Sequence, residues 1–316
     1  MRESKIQVFY RPEQVLNEDA NYNFSKSPLK PKLLIKFLQK HGLWEHFELH
    51  SGWQPFQKQD FLLAHTEEYV HGFFSGIPGI CESNGLKWTA QFADSVRYTN
   101  ASLYEAIRFA VLNPSYITFS PTSGFHHAHP HRGGGFCTFS GQVIASVKMY
   151  REYGVSGAYI DLDGHFGNSI EDSRSFVKDL DQAVPISCNI NPDGYGERYL
   201  KDLQNRLSVL YEELITQKVH YVVFPHGADS HEWDDMNGQC TTEEWLQSSD
   251  MVYTMILNAS KKLGRPVPLT LTLFGGYRSD DYDSVLSLHT ADIAICLNML
   301  CGNSVDYSVQ VKPRNE

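Results

Sequence analysis

The stretch YIDLDGHFGN, Tyr159 to Asn168, decides how the chain is read. It begins as an apolar, β-rich run. In its second half it sets Asp161, Asp163 and His165 at strict alternation. Side chains on a strand alternate between faces, so these three leave on one side and Leu162 and Gly164 on the other. Burying ionisable groups without partners is costly. A strand end that carries them therefore predicts chemistry: Asp163 and His165 are placed to hold one divalent ion. A third ligand from another loop would complete a protein triad with an open position, the pattern of a catalytic metal site. Asp234 is the candidate for that ligand.

Working outward, the same pattern recurs. YITFS (116–120), SGAYIDL (156–162), HYVVFP (220–225) and LTLTLFGG (269–276) are short, nearly continuous apolar runs, each followed by a polar loop. Such runs are buried on both faces, as in a parallel sheet. Helical stripes lie between them: Leu103, Ile107, Ala110 and Val111; Val143, Val147 and Tyr150; Leu203, Leu207, Leu210, Tyr211 and Leu214. Alternating strands and helices predict an α/β fold with three αβα layers, an open parallel sheet covered by helices on both faces. Ligands in such folds bind beyond the carboxyl ends of the strands. With no repeat, low-complexity tract or linker, residues 1–316 read as one domain, ending in a polar tail from about 303 to 316 that frays.

Composition narrows the function. A net charge of -10 argues against a general nucleic-acid binder. No stretch approaches the roughly 18 apolar residues of a membrane span, and the opening MRESKIQVFY is too polar for a signal segment. These features predict a cytoplasmic protein with no membrane or nucleic-acid partner. Six scattered cysteines without CxxC spacing suggest neither a zinc knuckle nor a disulfide framework.

The unusual polar residues all follow expected strands. His126, His127, His129 and His131 follow the first, Asp163 and His165 the second, Asp229, Asp234 and Asp235 the third, and Tyr277 the fourth. One strand-end aspartate is more often a turn or cap residue, and an acidic run is usually a solvated face. Four strand ends in series that each supply a group useful to one hydrolytic site outweigh those readings.

The ordered motifs GFHHAHPHRGGGFC (124–137), YIDLDGHFGN (159–168), HGADSHEWD (226–234) and FGGY (274–277) resemble the zinc-dependent histone deacetylases and their bacterial relatives in the arginase/deacetylase fold, most nearly the class IV branch. DFLLAHTEEYV (60–70) resembles their early segment. The resemblance implies a deacylase that removes an acetyl or longer fatty acyl group from acyl-lysine in a protein or peptide, or from an acylated small amine, using metal-bound water. It implies Asp163, His165 and Asp234 as ligands of Zn²⁺, with Fe²⁺ as the alternative. His127 would be the general base, His126 the electrostatic support, and Tyr277 the carbonyl polariser. Asp161 would support His126 and Asn168 would support His127. Gly134, Gly135 and Phe136 would line the substrate channel, and Asp161, Asp163 and His165 would meet a potassium ion.

Phe166 stands where most relatives carry a second histidine, and the segment after Ser169 reads as shorter than theirs. A shorter rim implies a wider mouth. The relatives' substrate-backbone aspartate has no secure match here, and Asp94 is the candidate for it. Two other readings fit the same residues: a binding protein that holds an acylated ligand without turnover, and an arginase-type binuclear manganese hydrolase.

Overall fold

The computed structural model describes residues 4–16 and 26–314. Among these, β1 (Ile6–Phe9), β2 (Phe47–His50), β3 (Thr118–Phe119), β4 (Gly157–Ile160), β5 (Asn189–Ile190), β6 (Tyr221–Pro225) and β7 (Leu269–Thr272) form one sheet in the order β2-β1-β3-β7-β6-β4-β5. Every pairing is parallel. The helices are α1 (Lys30–Lys40), α2 (Lys58–Phe61), α3 (Glu67–Phe74), α4 (Ala90–Leu112), α5 (Gly141–Tyr153), α6 (Ser169–Ser173), α7 (Leu180–Ala183), α8 (Glu197–Ile215), α9 (Thr242–Leu263) and α10 (Tyr282–Leu300).

Strand alternation sorts the core into two layers. Val222 and Phe224 of β6, with Ala158 and Ile160 of β4, pack against Leu34 of α1, Leu207 of α8, Val252 of α9 and Ile293 of α10. Tyr221, Val223 and Tyr159 point the other way, against Ile107 of α4 and Val147 of α5. Each fully buried side chain of this size contributes about 1.5–3 kcal/mol relative to exposure. The sheet thus lies between two helical layers, the arrangement that the alternating runs predict.

Local signals define the helix ends. Thr241 and Glu244 form a reciprocal capping box at the start of α9, and Gly264 closes it at φ 68°. Ser140 caps α5 and Gly154 ends it at φ 66°.

The register positions the chemistry. Thr118 of β3 pairs with Thr270 of β7, Thr270 with Val223 of β6, and Val223 with Tyr159 of β4. These four adjacent strands are level, so their exit loops open at one height along one edge.

The structure corrects one expectation and adds to another. The C-terminal tail does not fray over its described residues, 303–314: Val305, Tyr307, Val309 and Val311 pack on the core. Gln310 N–H donates to Ser287 Oγ at 2.7 Å, and Arg278 Nη1 donates to the Lys312 carbonyl at 2.7 Å. The period-two alternation of those four residues supplies the apolar face, masked in the sequence by the polar residues between them. β1, β2 and β5 were not expected; β2 is half exposed and β5 has two residues.

Candidate active site and metal centre

Four exit loops converge at the level edge. After β4, Asp161 and Asp163 are buried and His165 is partly open. After β6, Asp229 is wholly buried; its Oδ2 accepts from His165 Nδ1 at 2.9 Å, and its Oδ1 accepts from Gly164 N–H at 3.0 Å. His165 Nδ1 also lies 3.2 Å from Asp163 Oδ1. Gly275 N–H, after β7, donates to Asp163 Oδ2 at 2.7 Å. One ligand atom from each of Asp163, His165 and Asp229 lies within 4.8 Å of the others. Two carboxylates and an imidazole, largely buried together, suit a divalent cation, which would offset the burial of like charges.

Asp234 sits differently. Its Oδ2 accepts from Tyr277 N–H at 2.7 Å and Arg278 N–H at 3.2 Å, and its Oδ1 accepts from Met236 N–H at 3.0 Å. It therefore binds the exit loop of β7 to that of β6. Asp163 and His165 come together as expected, and Asp229 is the carboxylate beside them. Its position in GADS gave it no distinction from Asp234 and Asp235 in the sequence.

The histidine pair follows β3. His126 Nδ1 donates to Asp161 Oδ2 at 2.9 Å, and His126 Nε2 lies 3.6 Å from Asp163 Oδ1. Burial alone would hold His126 neutral, but Asp163 and Asp161 outweigh it and raise its pKa to about 9. The His127 ring lies 4.1 Å from that of His126 between centroids, tilted by 45°, and its Nδ1 is 2.8 Å from Asn168 Oδ1. Burial and the neighbouring His126 charge lower His127 to about 4. One imidazole is thus favoured as a cation and the other as a free base.

His165 is raised to about 10 by its bonds to Asp163 and Asp229. Burial pushes Asp163 upward, yet His126 and the bonds from its neighbours hold it well below the usual carboxylate range. Burial, reinforced by Asp163, pushes Asp229 up to about 7.

Tyr277 faces this group, its ring 6.4 Å from that of His165 and 6.1 Å from that of Phe136. Burial beside Asp163 keeps its phenol protonated well beyond the ordinary range. One cavity has His126, Gly135, Phe136, Asp163, Gly275 and Tyr277 in its wall. Phe136 and Phe274 both adopt left-handed backbone, at φ 64° and 54°. Such non-glycine residues carry strain and cluster at sites that dictate their geometry.

The glycines serve His127. A Cβ on Gly135, at φ +46°, would come 2.5 Å from His127 Cδ2, and one on Gly134 would come 2.9 Å from the His127 carbonyl. Phe166 is 63% exposed. Asp94 is paired with Arg97 at 2.8 Å on α4. His129 and His131 lie outside the cavity wall, with His129 Nδ1 2.8 Å from Asp172 Oδ2.

Sequence reading missed Lys30. It is completely buried, and its Nζ donates to the Phe274 carbonyl and, at 2.6 Å, to the Gly275 carbonyl. Burial lowers it to about 8 against the opposing pull of Asp229, Asp163 and Asp234. It fixes the turn that presents Tyr277.

A parallel three-layer α/β architecture with a carboxylate and histidine cluster at its strand ends is consistent with the arginase/deacetylase fold. The comparisons carry this further. The histone deacetylase domain profile matches residues 25–180. Histone deacetylase 2 of Arabidopsis thaliana is 22% identical over 275 residues, covering 77% of this chain and 67% of that protein. Histone deacetylase HDA1 of Saccharomyces cerevisiae is 28% identical over 148 residues, 42% of this chain and 20% of its own length. The acetoin utilization protein AcuC of Staphylococcus aureus is 25% identical over 126 residues, 35% of this chain and 31% of its own. The crystal structure of the HDA15 HD domain superposes with a TM-score of 0.68 at 14% identity, covering 94% of this chain and 90% of that one. Taken together, these matches support an assignment to the histone deacetylase family. It matches between 20% and 67% of the length of these curated relatives.

Proposed function

We propose that this protein is a metal-dependent amidohydrolase that removes an acyl group from lysine, a cytoplasmic deacylase nearest the class IV branch, with residues 1–316 as one catalytic domain. The observation that carries the proposal is the division of the histidine pair: His126 is held by carboxylates and favoured as a cation, whereas His127 is held by an amide and favoured as a base.

On the family pattern Asp163, His165 and Asp234 would hold the metal, Zn²⁺ or Fe²⁺; Asp229, the carboxylate that lies beside Asp163 and His165 here, would support His165. When bound, the metal supplies a Lewis acid that polarises an amide carbonyl and lowers the pKa of water. His127 takes the water proton at Nε2 and delivers it to the leaving lysine amine. His126 stabilises negative charge that develops on the carbonyl oxygen, and Tyr277 donates its phenolic proton toward the same oxygen. Gly134, Gly135 and Phe136 line the entrance, and a potassium ion would lie against Asp161, Asp163 and His165. The cavity beside Tyr277 continues past Phe92, Val96 and Phe139, which supports acyl groups longer than acetyl.

The test is a panel of acyl-lysine peptides of increasing chain length, read with and without chelator. Turnover should vanish with chelator and return with Zn²⁺. Tyr277→Phe should lower kcat by about 10²–10³-fold with the metal retained. Tight binding of acyl peptides without turnover by the metal-loaded protein would instead make it a binding protein.

A further inference from the structure

Asn168 is a weak support for a catalytic imidazole, because its amide is nearly symmetric in shape. With oxygen toward His127 it accepts a proton from Nδ1. Flipped, it presents its NH₂ and draws the histidine into the opposite tautomer. Something must choose, and the sequence places a carboxylate within reach: Asp172, four residues later on the same face of α6. Asp172 N–H donates to the Asn168 carbonyl at 2.9 Å, closing that turn. Asn168 Nδ2 then donates to Asp172 Oδ2 at 2.5 Å.

An ionised carboxylate offers only acceptors. Asp172 therefore takes the Asn168 NH₂ and turns Oδ1 toward His127, where the separation to Nδ1 is 2.8 Å. The proton on His127 must sit on Nδ1, leaving the Nε2 lone pair free. The carboxylate is itself anchored. His129 Nδ1 lies 2.8 Å from the same Oδ2, and His129 Nε2 lies 3.2 Å from Arg132 Nη2. Arg132 can only donate, so His129 is neutral and carries its proton on Nδ1. Burial and Arg132 lower the His129 pKa, in agreement with that state. The loop that supplies His127 thus returns to clamp the residue that orients it.

We infer that Asp172 is a positioning residue that sets the tautomer of His127 through Asn168, with His129 and Arg132 holding Asp172 in place. This rests on the proposed role of His127 as the base. The reason for His129 after His127 is then support of the base from outside, rather than metal capture.

The test is a double-mutant cycle on the metal-loaded protein with an acyl-lysine peptide. Asp172→Asn should lower kcat about tenfold, with KM nearly unchanged. In an Asn168→Asp background the carboxylate at 168 can only accept, so adding Asp172→Asn should change kcat by less than about twofold, the usual limit of additivity. Two-bond ¹H–¹⁵N spectra of ¹⁵N-histidine-labelled protein read the tautomer directly. His127 should show the Nδ1–H form in the parent and a mixture in Asp172→Asn. Equal losses in both backgrounds, no loss in the parent, or an unchanged tautomer would each overturn the inference. A parent protein without turnover would refute the proposed function instead, and the tautomer spectrum would then decide the positioning alone.

Discussion

Replacing Gly135 with alanine puts one methyl group against the imidazole of His127. The added Cβ would lie 2.5 Å from His127 Cδ2 and 2.9 Å from Cγ. Carbon atoms meet comfortably at about 3.5 Å, so one of the two must yield by roughly 1 Å. His127 holds Asn168 Oδ1 at 2.8 Å. A displacement of that size takes the pair beyond the ordinary limit of about 3.2 Å and breaks it. Misplacing a catalytic group by about 1 Å costs on the order of 10²-fold in rate, equivalent to about 2.7 kcal/mol in the barrier. The backbone contributes separately, because φ is +46° and a side chain in the left-handed region costs about 1–2 kcal/mol. Gly154→Ala isolates that cost: its φ is +66° and nothing lies within 4 Å of the new Cβ. Steady-state kinetics and thermal melting on both variants separate the two effects. Both should melt lower than the parent, and only Gly135→Ala should lose kcat. Full turnover in Gly135→Ala, or an equal loss in Gly154→Ala, would refute the steric argument.

Metal content separates the two carboxylates of the β6 exit loop. Asp163→Ala and Asp234→Asn should each bind less than stoichiometric Zn²⁺, while Asp229→Asn should bind it about 10–100-fold more weakly; a metal-free Asp229→Asn beside a fully loaded Asp234→Asn would move the third ligand to Asp229. The chelated protein should lose stability with rising pH between 6.5 and 8. His126 and His165 stand at about 9 and about 10, above the ordinary 6.5, so their contribution is whole below 6.5 and declines as pH climbs toward the folded values. Lys30, lowered to about 8, acts in the opposite sense but only above 8. A melting temperature that is flat or rises from pH 6.5 to 8 would contradict this account.

The central strands were legible because each is a short apolar run that ends in a loop. That pattern survives any tertiary context in which both faces are buried, as they are for Val222 and Val223. β2 was not legible, since Glu48 and Leu49 face solvent, and β5 offers two residues for any periodicity to act on. The strand-end residues were legible by their coincidence in series, and the partners His126–Asp161 and His127–Asn168 stand at hydrogen-bonding distance. Lys30 was not, because KPKLLIKFLQK reads as an amphipathic helix whose lysines face water. Its burial comes from the carbonyls of Phe274 and Gly275, more than two hundred residues away. Asp172 was hidden in a different way: its i to i+4 relation to Asn168 is visible, but the return of His129 to meet it depends on the closed loop.

The placement of β7 between β3 and β6 has a consequence for synthesis. The ladder partners Thr118 and Thr270 are joined by a hydroxyl contact across 152 residues of chain. During translation Asp163, His165 and Asp229 all leave the ribosome first, and β7 follows on the order of seconds later. Until it inserts, Asp163 lacks the Gly275 amide, Lys30 lacks its two carbonyls, and β3 and β6 expose the edges that β7 will cover. Open edges of this kind invite pairing with other chains. A nascent or prematurely terminated chain ending before Leu269 would carry the acidic cluster without the strand that closes the sheet, and would be a target for chaperones or proteases before it could complete its fold.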